Sequence, residues 1–146
     1  MTCRESILAA GLTLASCTAL QGQALPQARW PEGFTKASPE HMVTYEANLV
    51  CQKRLLGRVH VLEEKTEAPG RAGVLIEVKR DRADEPLRIW RTVSKSGGKF
   101  GIRGLEPSDY VMKVMLDGFQ SHYQAVRISP ECRSDRELVV DLRLGL

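Results

Sequence analysis

From Leu49 onward, apolar and polar residues alternate in short segments that recur about every 10–15 residues, with turn residues between them. In an extended strand successive side chains point to opposite faces, so each segment has one apolar and one polar face. Such strands become stable when their apolar faces pack together, and many short strands at regular spacing are typical of a β-sandwich. The pattern predicts an all-β domain over residues 49–146.

Seven segments carry the alternation clearly enough to be predicted as strands. They are residues 56–62, 73–79, 87–93, 100–102, 110–116, 126–128 and 138–144. Proline, glycine, aspartate and serine stand in the turns between them, where they favour chain reversal. The third segment has no clear inner face, because Leu87 and Ile89 point to one side and Trp90 to the other.

The N-terminal stretch has a different pattern. A short charged start is followed by an apolar run over residues 7–16. This run is about half the roughly 20 residues that a membrane-spanning helix needs. A charged start, an apolar core of this length and small residues after it are features of a secretory signal peptide, predicted here as residues 1–16.

Two cleavage sites compete at the end of this run. Leu14-Ala15-Ser16-Cys17 resembles the lipobox of bacterial lipoproteins, which implies that the Cys17 thiol is acylated and becomes the new N-terminus. Thr18 after the cysteine then implies an outer-membrane lipoprotein facing the periplasm or the cell surface. Alternatively, cleavage after Ala24 would release a soluble periplasmic or secreted protein.

Residues 17–48 are predicted to be the lipid anchor and a flexible tether, because prolines, glycines and glutamines interrupt any periodicity there. Two aromatic residues in this stretch, Trp30 and Phe34, either dock onto the domain or face solvent. The pattern leaves both possibilities open.

The four cysteines agree with export. Either cleavage removes Cys3, and Cys17 is acylated or removed, which leaves Cys51 and Cys132 as an even pair in an oxidising compartment. A disulfide between them would close a loop of about 80 residues and stabilise the domain by roughly 4–5 kcal/mol. Two buried free thiols are the alternative. The cysteines and histidines lack zinc-site spacing, so no metal and no cofactor is expected.

Residues 94–110 read Ser-Lys-Ser-Gly-Gly-Lys-Phe-Gly-Ile-Arg-Gly-Leu-Glu-Pro-Ser-Asp-Tyr, with a Gly-Phe pair at 118–119. This run resembles the carboxypeptidase regulatory-like domain, although Lys95 and Ser108 stand where that family usually has aspartate and glycine. The resemblance covers roughly residues 56–129. It implies a seven-stranded antiparallel Greek-key sandwich of the transthyretin (prealbumin) type, with Phe100 and Tyr110 anchoring the core, and it implies no catalysis.

Two kinds of covalent chemistry are disfavoured. The segment around His60 is similar to the opening of 5-hydroxyisourate hydrolases, but Lys99 stands at that family's arginine position and its C-terminal Tyr-Arg-Gly-Ser is missing. Without those groups, substrate and water are not positioned, so no catalytic residue is expected. A self-formed isopeptide bond is disfavoured because the one asparagine, Asn48, precedes the predicted sandwich and Asp141 lies opposite the apolar stripe of its strand.

Carbohydrate binding is the alternative function, since β-sandwiches often display aromatic rings on which sugars stack. Trp90, Phe119 and Tyr123 are the candidate ligand-binding residues, with His122 alongside. Each ring also has a place available in a core, and only 5% of the chain is aromatic, so carbohydrate binding ranks second.

Charge excludes one further class of protein. The 21 lysines and arginines against 18 acidic residues give a net charge of +3, too balanced for a nucleic-acid-binding protein. A local cluster of cations is either a solvated face or an attractive patch for an anionic envelope partner. Its members are Lys79, Arg80, Arg82, Arg88 and Arg91.

Together these features predict an exported, lipid-anchored domain without catalytic activity and with a structural or protein-interaction role in the bacterial envelope. Its expected partner is an envelope protein or a polysaccharide, and the lipid on Cys17 would attach it to the membrane.

Overall fold

Extended backbone dominates the fold. The computed structural model describes residues 33–36, 38, 40–62, 70–82, 87–133 and 136–145, and in these ranges it contains eight strands and no α-helix. The strands are β1 (Val43–Gln52), β2 (Leu55–Leu62), β3 (Leu75–Arg80), β4 (Ile89–Val93), β5 (Lys99–Ile102), β6 (Ser108–Met115), β7 (Ser121–Ile128) and β8 (Leu138–Arg143). The predicted signal peptide, Cys17 and Trp30 lie outside the described residues.

The strands form two sheets whose apolar faces pack against each other. The larger sheet has the order β1-β7-β6-β3-β4, and the smaller one has the order β5-β2-β8. Val59 of the smaller sheet and Ile76 and Met112 of the larger one are completely buried in the same cluster. This arrangement confirms the predicted all-β sandwich.

Each of the seven predicted segments overlaps a strand, β2 to β8, although the prediction for β7 covers only its last three residues, 126–128. The inner face of β4, which the sequence left open, is the one that carries Trp90. This residue stands opposite the buried Val78, and its ring meets the edge of the Tyr110 ring at 5.7 Å between centroids. Trp90 therefore packs against the core, whereas Ile89 points outward beside Lys79.

The prediction that all strands are antiparallel is wrong for two pairs. β1 runs parallel to β7, and β2 runs parallel to β8. Parallel neighbours need a long connection, and in both pairs most of the domain lies between the two strands. An alternating pattern looks the same in both directions, so it does not reveal this pairing.

The sandwich begins at Val43, whereas the predicted domain boundary was residue 49. The boundary was placed too late because the sequence analysis did not detect β1. The register of β1 against β7 shifts between Glu46 and Val50, which marks a β-bulge. β1 advances by four residues while β7 advances by two, so Glu46 and Val50 stay on the same face of β1. The residues on that face change from polar to apolar along the strand, which is why β1 shows no alternation with one apolar face.

The residues that anchor the predicted core occupy their expected places. Phe100 and Tyr110 are buried, and the Tyr110 hydroxyl donates a hydrogen bond of 2.6 Å to the Glu106 carbonyl. Leu105 packs against the core from the loop before β6. Gly98 has a φ of +75°, and a Cβ there would lie 2.2 Å from the Val59 carbonyl oxygen, so the turn before β5 needs glycine.

The segment before β1 covers the outer face of the larger sheet. The Phe34 ring meets the Tyr123 ring edge-on at 5.7 Å between centroids, and Tyr45 stacks on the same tyrosine at 5.2 Å. The Lys79 ammonium lies 4.9 Å from the centre of the Phe34 ring. Phe34 therefore docks onto the domain. The sequence had left open whether this ring docks or faces solvent.

A pair of opposite charges is buried beneath this covering segment. Glu77 on β3 stands directly opposite Lys113 on β6, and both residues are completely buried. The Glu77 carboxylate accepts hydrogen bonds from the Thr35 backbone and hydroxyl and pairs with Arg91 at 3.2 Å. The Lys113 ammonium donates to the Lys36 carbonyl. Burial lowers the pKa of Lys113, and the neighbouring Glu77 carboxylate opposes that shift.

The predicted disulfide is present. Cys51 at the end of β1 is bonded to Cys132 in the loop after β7, with 5.4 Å between their Cα atoms and a sequence separation of 81. The bond joins the end of β1 to the connection between the two sheets. The alternative of two free thiols is thereby excluded.

Candidate functional site

A groove rich in positive charge lies at one end of the sandwich, where β1 turns into β2 and β5 leads towards β6. Lys53, Arg54, Lys95 and Arg103 line its rim, and we call this site the basic groove. Its volume is about 670 Å³. Apolar side chains also line it: Leu55, Leu56, Ile102 and Leu105.

The four rim cations have no ion pair with any carboxylate in the described part of the chain. Arginines elsewhere on the surface behave differently. Arg127, for example, donates to both carboxylate oxygens of Asp109, at 2.7 and 3.1 Å, and holds the pKa of Asp109 below its usual value. Like charges held together repel one another, so an anion bound between them would relieve that repulsion.

The basic groove is built on a rigid turn. Gln52 directly follows the disulfide residue Cys51, and its side chain is buried. Its amide donates to the Leu56 carbonyl at 3.1 Å and to the Arg136 carbonyl at 2.8 Å. These hydrogen bonds connect β1 with β2 across their turn and with the segment between β7 and β8. Gly101 keeps the groove open, because a Cβ there would lie 3.0 Å from the Leu56 side chain.

The cation cluster singled out in the sequence is largely engaged with the protein itself. Arg91 pairs with Glu77, and Arg80 pairs with Glu106. Lys79 lies over Phe34, and the Arg88 guanidinium lies 4.6 Å from the centre of the Trp90 ring. These contacts favour a structural role for the cluster over an attractive patch.

The three predicted ligand-binding rings do not come together. Trp90 packs against the core at the edge of the larger sheet and carries Arg88 over its ring. Phe119 lies in the turn after β6, at the opposite end from the basic groove, where it forms an isolated bridge with Leu144. Tyr123 is completely buried on the outer face, and burial raises its pKa to about 12. They do not form a shared sugar platform.

The residues considered for enzyme chemistry are also separated. His60 is partly exposed on β2, with its Nδ1 atom 3.6 Å from Asp141 Oδ1 on β8. Lys99 on β5 stands opposite Arg58, not opposite His60. Asn48 and Asp141 line one cleft, but no lysine lines it with them.

That cleft lies at the open side of the sandwich, between β1 and β7 of the larger sheet and β8, the edge strand of the smaller one. We call it the polar cleft; its volume is about 400 Å³. Its polar lining is Thr44, Glu46, Asn48, His122, Gln124, Asp141 and Arg143. His122 is 8% exposed, and neither ring nitrogen has a hydrogen-bond partner among the described residues. Leaving such a buried group unpaired costs about 1–3 kcal/mol.

The basic groove and the polar cleft were both missed by the sequence analysis. A Lys-Arg dipeptide between two strands marks the turn at 53–54, but its proximity to Lys95 and Arg103 depends on the sheet order. His122 was noted only as a neighbour of Tyr123, although it points to the opposite face of β7.

Burial lowers the pKa of His122 below its ordinary value of 6.5, although nearby Gln124, Glu46 and Asp141 favour the protonated form. The unfolded chain therefore binds a proton at His122 more readily than the native protein does. We expect the free energy of unfolding to fall as the pH is lowered from 7.5 to 5.5, by no more than about 1.4 kcal/mol. Urea unfolding at several pH values measures this slope. His122→Gln should flatten it, whereas His41→Gln, at an exposed histidine, should not; an unchanged slope in His122→Gln would contradict the assignment.

Comparison with known proteins gives little guidance. No protein-family model matches the chain, and no curated protein matches it significantly. Among solved structures it is similar to 3-chlorocatechol 1,2-dioxygenase from Rhodococcus opacus, with 14% identity and a TM-score of 0.38 over 64% of this chain and 60% of that one. It is also similar to chlorocatechol 1,2-dioxygenase from Pseudomonas putida, with 14% identity and a TM-score of 0.36 over 72% of this chain and 69% of that one. The chain thus spans less than two thirds of the first of these proteins.

The described residues lack two further features that would indicate a site or a membrane span. They contain no group of three or more histidine, cysteine, aspartate or glutamate side chains placed to hold a metal ion. No helix among them is long and apolar enough to cross a bilayer.

Proposed function

We propose that this protein is an exported, lipid-anchored, non-catalytic β-sandwich that binds an anionic partner in the bacterial envelope through the basic groove. The observation that carries the proposal is the set of four cations that have no ion pair with a described carboxylate and surround a partly apolar groove of about 670 Å³. A concave site with apolar walls and a few convergent charged groups is typical of ligand and partner recognition.

The disulfide supports export, because such bonds persist in oxidising compartments and are rare in the cytosol. The apolar run at 7–16 and the lipobox-like residues before Cys17 support a signal peptide and a lipid anchor. One acyl chain binds a membrane only marginally, whereas the several chains of a lipoprotein anchor would hold the domain stably. The outer membrane is the proposed location.

We further assign strands β2 to β8 to a carboxypeptidase regulatory-like sandwich of the transthyretin type, with β1 as an added edge strand. The buried Phe100 and Tyr110, the packed Leu105 and the positive φ of Gly98 support this assignment. Such a domain commonly supplies a rigid frame for loops that bind, and the basic groove lies on such loops.

Site-specific crosslinking in living cells tests the partner. A photo-crosslinking side chain replaces Arg54 on the rim or Arg143, an exposed cation at the far end of β8, opposite Leu62 of β2. We expect a discrete crosslinked product from position 54 only, and its loss when Arg103→Glu reverses the charge of the rim. Equal crosslinking from both positions, or a product that persists in Arg103→Glu, would exclude the basic groove as the binding site.

The anchor is tested by the intact mass of the native protein extracted from membranes. We expect a chain that begins at Cys17, carries acyl chains and gains about two hydrogens on reduction. A chain that begins at Leu25 and carries no lipid would overturn the anchor while leaving the basic groove to be tested separately.

A further inference from the structure

We propose that the partner segment bound in the basic groove is an extended peptide in which acidic and apolar residues alternate, and that this peptide adds a strand to the outer edge of β5. The inference rests on the proposed function, because it names the class of partner that the basic groove takes. A peptide that adds a strand gains affinity from main-chain hydrogen bonds and specificity from its alternate side chains.

The edge of β5 that faces away from β2 supplies the main-chain groups. In the described part of the chain no strand pairs with this side of β5. The Lys99 carbonyl accepts a hydrogen bond of 2.8 Å from the Lys95 amide in the preceding turn, so the backbone of Lys99 points away from β2. Residues two apart in a strand direct their N–H and C=O groups to the same side. Those of Gly101 therefore also point outward, where an incoming strand can pair with them.

Gly101 is the residue of β5 that a second chain can approach most closely. It is exposed, it lines the basic groove, and it has no side chain to hold another backbone away. Glycine within a strand often marks such an approach. The lining continues without a break from Gly101 to Leu105, so a peptide that pairs with Gly101 stays in the groove over its next residues.

The exposed face of β5 sets the charge of the peptide. Lys99 and Gly101 are exposed, whereas Phe100 and Ile102 are buried. A strand added beside β5 has the same two faces, because side chains alternate in every strand. On the exposed face the peptide would lie near the rim cations, which have no ion pair with a described carboxylate. Acidic side chains at every second position would be attracted to them.

The inner face of the added strand would meet the apolar walls of the groove. Leu55, Ile102 and Ile128 are buried there, and Leu105 is partly buried. Apolar side chains at the other positions of the peptide can pack against these walls. The described lining contains no aromatic ring, so the groove lacks the flat face on which a sugar stacks. The walls therefore favour a peptide over an anionic polysaccharide.

Titration of the full-length protein with four synthetic probes tests the class of partner. The first is an acetylated octapeptide in which aspartate and valine alternate. The controls are a peptide of the same composition with all its aspartates before its valines, a peptide with lysine in place of aspartate, and the anionic sugar chain octagalacturonate. We expect the alternating acidic peptide to bind saturably, at least about ten-fold more tightly than each control, and to slow hydrogen exchange of the Gly101 amide.

Two substitutions at one position separate the main-chain hydrogen bond from the shape of the groove. Gly101→Pro removes the N–H group that points outward, a change that edge strands tolerate. Gly101→Ala adds a Cβ at the same place and keeps the N–H group. We expect Gly101→Pro to bind the alternating acidic peptide about ten-fold more weakly than Gly101→Ala, because a peptide carbonyl loses its donor. Arg103→Glu should weaken the binding by at least as much, because it reverses a charge of the rim.

The outcomes distinguish this inference from the proposed function. No saturable binding of the alternating peptide, binding that leaves the Gly101 amide unprotected, or equal binding to Gly101→Pro and Gly101→Ala would overturn the added strand. Tighter binding of octagalacturonate, lost in Arg103→Glu, would overturn the peptide but keep the basic groove as a site for an anionic partner. The proposed function itself fails only in the crosslinking experiment. The wild-type titration and its exchange data test the inference even where Gly101→Pro does not fold.

Discussion

Replacing Glu77 with leucine should destabilise the domain by about 3–5 kcal/mol, because it removes a completely buried carboxylate that pairs with Arg91 at 3.2 Å and stands opposite the completely buried Lys113. The covering segment would also lose its two hydrogen bonds from Thr35. Lys113→Met should cost less, since Glu77 keeps Arg91 and Thr35 as partners. The double variant Glu77→Leu with Lys113→Met should recover part of the loss, because no buried charge is then left unpaired between these two positions.

Urea unfolding of the four proteins measures the coupling between the two residues. Glu106→Leu is the control, because Glu106 pairs with Arg80 at the surface and such pairs contribute about 0–1 kcal/mol. If Glu77→Leu costs no more than Glu106→Leu, the buried pair does not stabilise the fold as argued.

The pH dependence of Glu77→Leu gives a second readout. The native pKa of Lys113 is already lowered, and it should fall further without the carboxylate that opposes this shift. Between that native pKa and the ordinary value of 10.5, the unfolded chain binds the proton more readily than the native protein. The stability of Glu77→Leu should therefore recover, relative to wild type, as the pH rises through this window.

Removing the disulfide is the second large change. Cys51→Ala with Cys132→Ala should lower the free energy of unfolding by up to about 4.5 kcal/mol, because the bond closes a loop of about 80 residues and so limits the freedom of the unfolded chain. We expect amide exchange to quicken most at the end of β1 and in the connection from β7 to β8, which the bond joins. Urea unfolding and hydrogen exchange measure the two effects.

Reductant provides the matched control for the disulfide. It should lower the stability of the wild type towards that of the double alanine variant and leave the variant itself unchanged. A loss below about 1 kcal/mol in both experiments would mean that the strand contacts alone hold this end of the sandwich.

The strands were predictable because a strand with one buried face shows alternating apolar and polar residues in its own sequence. Val74, Ile76 and Val78 alternate with Leu75, Glu77 and Lys79, and the structure buries the first three against the core as expected. The ambiguous face of β4 was not decided by its own residues. Because β4 is the edge strand of the larger sheet, Leu87 and Ile89 stay partly accessible to solvent. Trp90 pairs with the buried Val78, and this pairing determines which face of β4 packs against the core.

The candidate sites were much less predictable than the strands. Lys53, Arg54, Lys95 and Arg103 come from three separate stretches of the chain, and the motif that contains Lys95 and Arg103 implies a fold and not a charged groove. The aromatic residues chosen as ligand platforms were instead used for packing, as the complete burial of Tyr123 illustrates. The type of a residue can suggest a role in ligand binding, but it does not predict whether the fold buries that residue.

The sequence by itself determined the all-β class, seven of the eight strands, most of their inner faces and the cysteine pair, because each of these depends on local periodicity or on a simple count. The tertiary structure alone decided that β1 and β8 join the sheets in parallel, that the segment at Phe34 buries Glu77 with Lys113, and that some cations stay unpaired. These features depend on which distant segments meet. A period of two residues describes only which side of a strand faces inward, and it carries no information about what lies across from it.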